Sequence, residues 1–203
     1  MPWPDDVTLT GAHVTLVPLA PAHGDDLAGA AGDGDLHLLW YTTIPAPDEV
    51  EAEIARRLAL RDNGTMLPFA VLDATGKAVG MTTYMNIDAR LPRVEIGSTW
   101  IARSAQRGAL NTEAKYLLLR HAFEGLACVA VEFRTHVINH QSRRAIERLG
   151  ARADGILRNH MRMANGTLRD TAVYSILNTE WPAVAAHLRW QLDRPRGEDA
   201  RKS

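Results

Sequence analysis

Arg103, Gln106, Arg107 and Gly108 set two fixed positive charges beside an amide side chain and a glycine. A loop of that kind lets a phosphate approach the backbone and meet cations there. A helix is expected directly after it, starting near Asn111-Thr112-Glu113-Ala114, with Asn111 or Thr112 as its capping side chain. The first turn of a helix leaves free N–H groups at the positive end of its dipole, which favours an anion. Ahead of the loop, Arg93-Val-Glu-Ile-Gly-Ser-Thr-Trp-Ile101 reads as a strand. Strict alternation puts Val94, Ile96, Ser98 and Trp100 on one face and Glu95, Gly97, Thr99 and Ile101 on the other. Both faces are mixed, so a central strand is expected. Strand, basic loop and helix start together suggest a pocket for a phosphorylated cofactor.

Other residues with chemical potential carry less. Cys128 is the single cysteine, which excludes an internal disulfide and any multi-cysteine metal site. Its apolar neighbours mark it as a small core residue rather than a nucleophile. His136 and His140 have the spacing of a two-histidine helical metal pair, but they straddle a strand end and no third ligand is evident, so no metal site is expected.

The elements around these residues fit one α/β domain. The chain has 203 residues, enough for one substantial core. Its 46% hydrophobic and 23% charged content is that of a soluble globular protein, and a net charge of −1 argues against a nucleic acid partner. No apolar run is long enough to span a bilayer, and the first residues lack the regions of a signal peptide, so no membrane partner and a cytoplasmic location are expected.

Val7–Leu19 reads as a strand bent or paired through Gly11, and Pro21–Gly32 as a loose helix. A helix capped by Asp48 and stopped at Asn63-Gly64 follows, then two strands (Leu67–Leu72 and Ala78–Ile87) joined by a hairpin turn. The helix Thr112–Leu126 has a narrow polar stripe of Glu113, Arg120 and Glu124. Val129–Val137 alternates cleanly as a strand, and Gln141–Leu149 is an amphipathic helix ended by Gly150. Ile156–Met163 and Leu168–Leu177 flank the Asn165-Gly166 hairpin signal, and a last helix covers Glu180–Leu192. Residues 1–192 are read as one domain, and 193–203 as a charged, disordered tail.

In this order, Val94-Glu-Ile-Gly97, Asn111-Thr-Glu-Ala114, His121-Ala-Phe123, Asn139-His-Gln-Ser142, Glu147-Arg-Leu-Gly150, Gly155-Ile-Leu-Arg158, Arg169-Asp170 through Tyr174-Ser175, and Glu180-Trp181 form an ordered set. The set resembles the GNAT superfamily of acyl-CoA-dependent N-acyltransferases, in the branch of the ribosomal-protein N-terminal acetyltransferases. Each motif alone is weak; the resemblance rests on their order and spacing across residues 8–190. It implies a mixed, mostly antiparallel sheet with a splayed central strand pair, flanked by helices. It also implies acetyl-CoA as co-substrate and direct attack by a primary amine, on a small molecule or a peptide N-terminus, in a ternary complex.

The resemblance places the cofactor arm along Trp100, Ile101 and Ala102. Its pyrophosphate would lie on Arg103, Gln106, Arg107, Gly108, Ala109, Leu110, Asn111 and Thr112, with Asn139 and Ser142 across the cleft. Two glycine positions of the usual phosphate-loop pattern hold Ala109 and Asn111, and Gly108 is displaced by one residue. Glu95 is the candidate general base, with pairing to a neighbouring arginine as the equal alternative. Ser142 is the candidate partner of the leaving sulfur, because Ile146 stands where many relatives have a tyrosine acid. Asn139 can cap its helix as well as contact the cofactor. Trp40, Tyr41, Tyr84 and His136 are the candidate acceptor contacts. For Trp40 a core role weighs more, and for His136 a partly exposed strand-end role. Two further functions stay open: a non-catalytic CoA-binding or sensing module, and the same fold using another acyl-CoA such as succinyl-CoA. Homodimerisation through the C-terminal strands and helix is compatible with the sequence, which does not show it.

Overall fold

The computed structural model describes residues 3–194. Two short strands open it, β1 (Leu9–Thr10) and β2 (Thr15–Pro18), paired antiparallel across Gly11. Then come helix α1 (Gly24–Gly32), helix α2 (Val50–Asp62) and strands β3 (Met66–Leu72), β4 (Ala78–Asp88) and β5 (Arg93–Ile101). Helix α3 (Leu110–Arg120), strand β6 (Ala130–His136) and helix α4 (His140–Arg148) follow. A hairpin of β7 (Arg152–Arg162) and β8 (Leu168–Leu177) precedes helix α5 (Trp181–Asp193).

The turns form where local chemistry favours them. Asp73 accepts hydrogen bonds from the Thr75 and Lys77 amides (2.8 and 3.1 Å), closing the β3–β4 hairpin, and Asn165 accepts from Thr167 N in the β7–β8 turn (3.1 Å). The eight strands make one sheet in the order β1-β2-β3-β4-β5-β6-β8-β7. Every pair is antiparallel except β5–β6, which is parallel, as a helical crossover through α3 requires. The mixed, mostly antiparallel sheet flanked by helices is therefore present.

Helices α3, α4 and α5 pack on the sheet face that carries Tyr84, Phe133 and Tyr174. Tyr84 donates its hydroxyl to Leu118 O of α3 (2.6 Å), and Arg143 of α4 donates to the Tyr174 hydroxyl (2.9 Å). Trp181 of α5 stacks on Tyr116 of α3, at 6.0 Å between ring centroids. On the other face Ala70, Met81 and Thr83 are fully buried under α1 and α2.

Several local expectations are corrected. Asp48 does not cap α2; a 3-10 turn (Pro47–Glu49) leads in, and the Glu49 carboxylate accepts the Ala46 amide at 3.0 Å. Helix α3 begins at Leu110, earlier than expected, so Asn111 and Thr112 lie inside its first turn and neither caps it. It closes with a π-helical turn, His121–Gly125. Glu113, assigned to the polar stripe, is buried: its two oxygens accept the Ala12 and His13 amides at 2.9 and 2.5 Å, tying the β1–β2 turn to α3. Gly11 makes room for this, since a Cβ there would lie 2.4 Å from the Glu113 carboxyl carbon. Strand β7 starts at Arg152, before the expected Ile156, and Asp193 belongs to α5. Of the remaining expected tail, Arg194 leaves α5 in an extended conformation and 195–203 lies outside the described residues.

Candidate active site

The site begins where β5 and β6 part. Their parallel register holds three Cα pairs, Arg93↔Ala130, Val94↔Val131 and Glu95↔Glu132. β6 stays paired with β8 through His136, and β5 with β4 to Ile101, but past Glu95 the two strands no longer meet. That is the splayed central pair. Along β5 the edge facing β6 is left without a strand partner.

A bulge shapes this free edge. Met81 faces Trp100 and Thr83 faces Gly97, so Thr82 alone opposes both Ser98 and Thr99. Ser98 sits at φ +47, a left-handed conformation uncommon for a residue with a Cβ. The extra residue reverses the alternation beyond it. Val94, Ile96 and Thr99 therefore share the α3 side, where the Thr82 and Thr99 hydroxyls lie 2.7 Å apart. Glu95, Gly97 and Trp100 share the other, so the expected grouping of Trp100 with Val94 and Ile96 is corrected.

Glu95 lies at the fork, only 5% exposed. A second left-handed residue, Asn86 (φ +47), marks an irregularity in β4 and donates to Glu95 Oε2 at 2.6 Å. Arg134 Nε stands 3.4 Å from the same oxygen and also bonds Glu132, which Arg93 holds from its other side. Burial raises the Glu95 pKa above the usual carboxylate range, and the Asn86 hydrogen bond and the Arg134 charge oppose that shift. The arginine pairing weighed from the sequence is thus present, around a carboxyl group more basic than usual. Gly97 leaves room for it: a Cβ at that position would meet Glu95 Oε1 at 2.8 Å.

At its far end the free edge runs into the basic loop. Trp100, Ile101 and Ala102 are buried, and Ala102 N donates to Val79 O at 2.8 Å. Gln106 Nε2 bonds Ile101 O at 2.8 Å, and the Ser104 amide is held by Asp33 Oδ2 at 2.8 Å. Arg103, Arg107 and Gly108 are exposed, and neither arginine pairs with a carboxylate among the described residues. The loop's left-handed residue is Arg107 (φ +62), whereas Ala109 has φ −71 and ψ −28. Alanine therefore fits its position without strain. Leu110 and Thr112 are buried, and Asn111 keeps a buried Oδ1 with no partner. The free edge, the cationic loop and the open amides at the start of α3 suit a ligand with an amide-bearing arm and a pyrophosphate.

Across the gap, the Asn139 side chain accepts the Ser142 amide at 3.0 Å, so Asn139 does cap α4. Ser142 is half-buried beside it, and Ile146 is buried in the core. On the Glu95 face, Trp40 packs edge-on to His136 (5.8 Å between centroids) and Tyr41 edge-on to Trp40 (5.9 Å). Trp40 is 50% exposed, so the core role given more weight is overturned. His136 is buried rather than partly exposed; burial and the nearby Arg169 charge lower its pKa. Tyr84 is corrected too: it is fully buried under α3 with its hydroxyl committed to Leu118, so it lines no acceptor pocket.

Sequence reasoning missed Arg57, Lys115, Arg134 and Arg169. Arg57 is fully buried, although it falls three residues after Ile54 on the inward stripe of α2, a detectable position for a cation. Arg134 follows Glu132 by two residues and so shares the Glu95 face, a signal present in the alternation. Arg169 Nε donates to Thr171, whose register partner is His136 (3.0 Å). A separate hollow of about 640 Å³, lined by Trp3, Asp5, Arg61, Met66 and Ile87 among others, includes none of the site residues.

Residues 13–152 match the model of the acetyltransferase (GNAT) domain. A putative ribosomal N-acetyltransferase of Bacillus subtilis, YdaF, is 34% identical over 106 residues, which is 52% of this chain. The chain spans 57% of that relative's length. A crystal structure of a GCN5-related N-acetyltransferase from Brucella melitensis superposes with a TM-score of 0.87 at 35% identity, covering 100% of this chain and 92% of the other. Mycobacterium smegmatis RimJ, solved in complex with CoA-disulfide, matches with a TM-score of 0.75 at 25% identity, covering 93% and 95%.

Proposed function

Because the chain belongs to the GNAT acetyltransferases, we propose that it carries an acetyl group from acetyl-CoA to a primary amine, with both substrates bound and no covalent enzyme intermediate. The observation that supports this most is the fork. Parallel pairing stops at Glu95↔Glu132, and the freed edge of β5 leads to a cationic loop and a helix start. Acetyl-CoA, when bound, supplies the activated acyl group and a thiolate leaving group.

The residues then have distinct tasks. Backbone groups near Trp100, on the side of β5 that β6 leaves free, hold the pantetheine arm as a neighbouring strand would. Arg103, Arg107 and the first amides of α3 meet the pyrophosphate. The ammonium of the acceptor must lose a proton before its nitrogen can attack, and Glu95, more basic than an ordinary carboxylate, takes it directly or through a water. Ser142 and Asn139 face the sulfur side, where a hydroxyl can hydrogen-bond a developing thiolate. Trp40, Tyr41 and His136 border the acceptor.

A peptide or protein N-terminus is the favoured acceptor, because a relative that the chain matches in sequence is named as a putative ribosomal N-acetyltransferase. The location proposed is cytoplasmic; no helix among the described residues is long and apolar enough to cross a membrane. Release of free thiol from acetyl-CoA, measured across a panel of amines and N-terminal peptides, tests the proposal. Acceptor-dependent thiol and an acetylated amine by mass spectrometry are the expected results. Binding of acetyl-CoA without turnover on any amine would favour the sensing module, and faster turnover with succinyl-CoA would change the donor.

A further inference from the structure

The Ser98 bulge is gripped from both faces of the sheet by buried basic side chains. From α2, Arg57 donates through Nη2 to Ser98 O (3.1 Å) and Ser98 Oγ (2.8 Å), while its Nε is held by Glu53 at 2.7 Å. From α3, Lys115 Nζ donates to Thr99 Oγ1 (2.7 Å) and Thr82 Oγ1 (3.1 Å). Thr99 in turn donates to Gly97 O at 3.3 Å, so successive residues of the bulge are bonded from opposite layers.

Neither side chain is placed where stability alone would put it. Arg57 is fully buried on the inward stripe of a helix, a position that an apolar side chain fills at no desolvation cost. Lys115 is buried with no carboxylate within salt-bridge distance among the described residues. Ser98 itself is exposed and left-handed, a conformation that persists only when its surroundings impose it. The bulge also lies just beyond the last β5–β6 pair, where the free edge begins.

We propose that Arg57 and Lys115 are positioning residues: they hold the Ser98 bulge from opposite faces and so keep the free edge of β5 in the geometry that receives the acyl donor. The consequence for the donor rests on the acetyltransferase function proposed above; the clamp itself does not.

Amide hydrogen exchange on the ligand-free protein, paired with steady-state kinetics, tests this. In R57M, exchange at Ser98, Thr99 and Trp100 should rise about tenfold while the β6–β8 ladder keeps its protection. The KM for acetyl-CoA should rise about tenfold, with the acceptor KM unchanged. R57K should not restore either readout, because one ammonium cannot bridge Glu53 and Ser98 as a guanidinium fork does. S98A should show a smaller shift in the same direction, and adding it to R57M should bring little further change. K115M should raise exchange at Thr99 and increase the acetyl-CoA KM.

A uniform rise in exchange across the sheet with unchanged KM would reduce Arg57 to a stability role and overturn the proposal. Should R57M not fold, S98A removes the hydroxyl that Arg57 binds while leaving the carbonyl contact, and R57K removes the fork: unaltered exchange at Ser98 in both overturns the Arg57 arm. Unaltered exchange at Thr99 in K115M overturns the Lys115 arm. If the wild-type protein turns over no amine, the functional proposal fails on that result, and the exchange data still judge the clamp.

Discussion

Glu95 joins two properties a proton acceptor needs: it sits at the fork, and burial has made it more basic than a surface carboxylate. E95Q is expected to lower turnover by about 10²–10⁴-fold near neutral pH, the usual worth of a positioned base. The deficit should narrow toward pH 10, where the acceptor amine sheds its own proton. A pH–rate profile of both proteins checks this, and equal activity at every pH would remove Glu95 from the role. Its raised pKa also carries a stability sign. A carboxyl whose folded pKa exceeds its unfolded one adds stability below the unfolded pKa, and that contribution disappears as pH rises through the folded value. E95Q removes this loss, so its Tm at pH 7–8 should not fall below wild type. Reduced turnover without reduced Tm separates chemistry from folding. Strand periodicity made Glu95 legible in the sequence, but not the company it keeps. Asn86 reaches the carboxylate only because a left-handed residue turns it, and one such residue leaves no periodic trace.

Helix α3 contributes amides at its first turn and buried polar contacts along its length. Lys115 has its pKa lowered to about 7 by burial. Between that value and the ordinary lysine range the unfolded chain holds a proton that the folded chain has released, so folding stability should rise with pH from about 7 to 10. K115M should flatten that rise; denaturant titrations at pH 7 and pH 9.5 measure the difference. Glu113 is the anchor of the same helix. E113A strands the Ala12 and His13 amides and is expected to cost about 2–4 kcal/mol, read as a lower denaturation midpoint at unchanged m-value. Element boundaries were largely readable because turn residues announce them, as at Asp73, Asn165 and Gly150. The buried placement of Glu113 and Lys115 was not. A charged residue at helical spacing looks like a solvated stripe until the partner layer that covers it is known.

For the molecule as a whole, a donor that binds only the folded state must stabilise it. Acetyl-CoA at a hundred times its Kd should add about 2.7 kcal/mol, which for a domain near 200 residues is roughly 5–10 °C in Tm. R103A/R107A should lose much of that shift while leaving the ligand-free Tm close to wild type, because both side chains are exposed. Thermal melts with and without donor provide the check. The α/β class and the order of elements were legible in the ordered motifs; the exact end of the β5–β6 pairing was not, since both strands continue in sequence well past Glu95. That interruption has a wider consequence. Unpaired strand borders usually lie on the rim of a sheet, where another protein's strand can add to them. Here one such border is enclosed between helical layers in the interior of a sheet. A flexible tether that carries its own amides can pair with such a border without lengthening the rim of the sheet, so the protein gains a sticky border away from the place where aggregation starts.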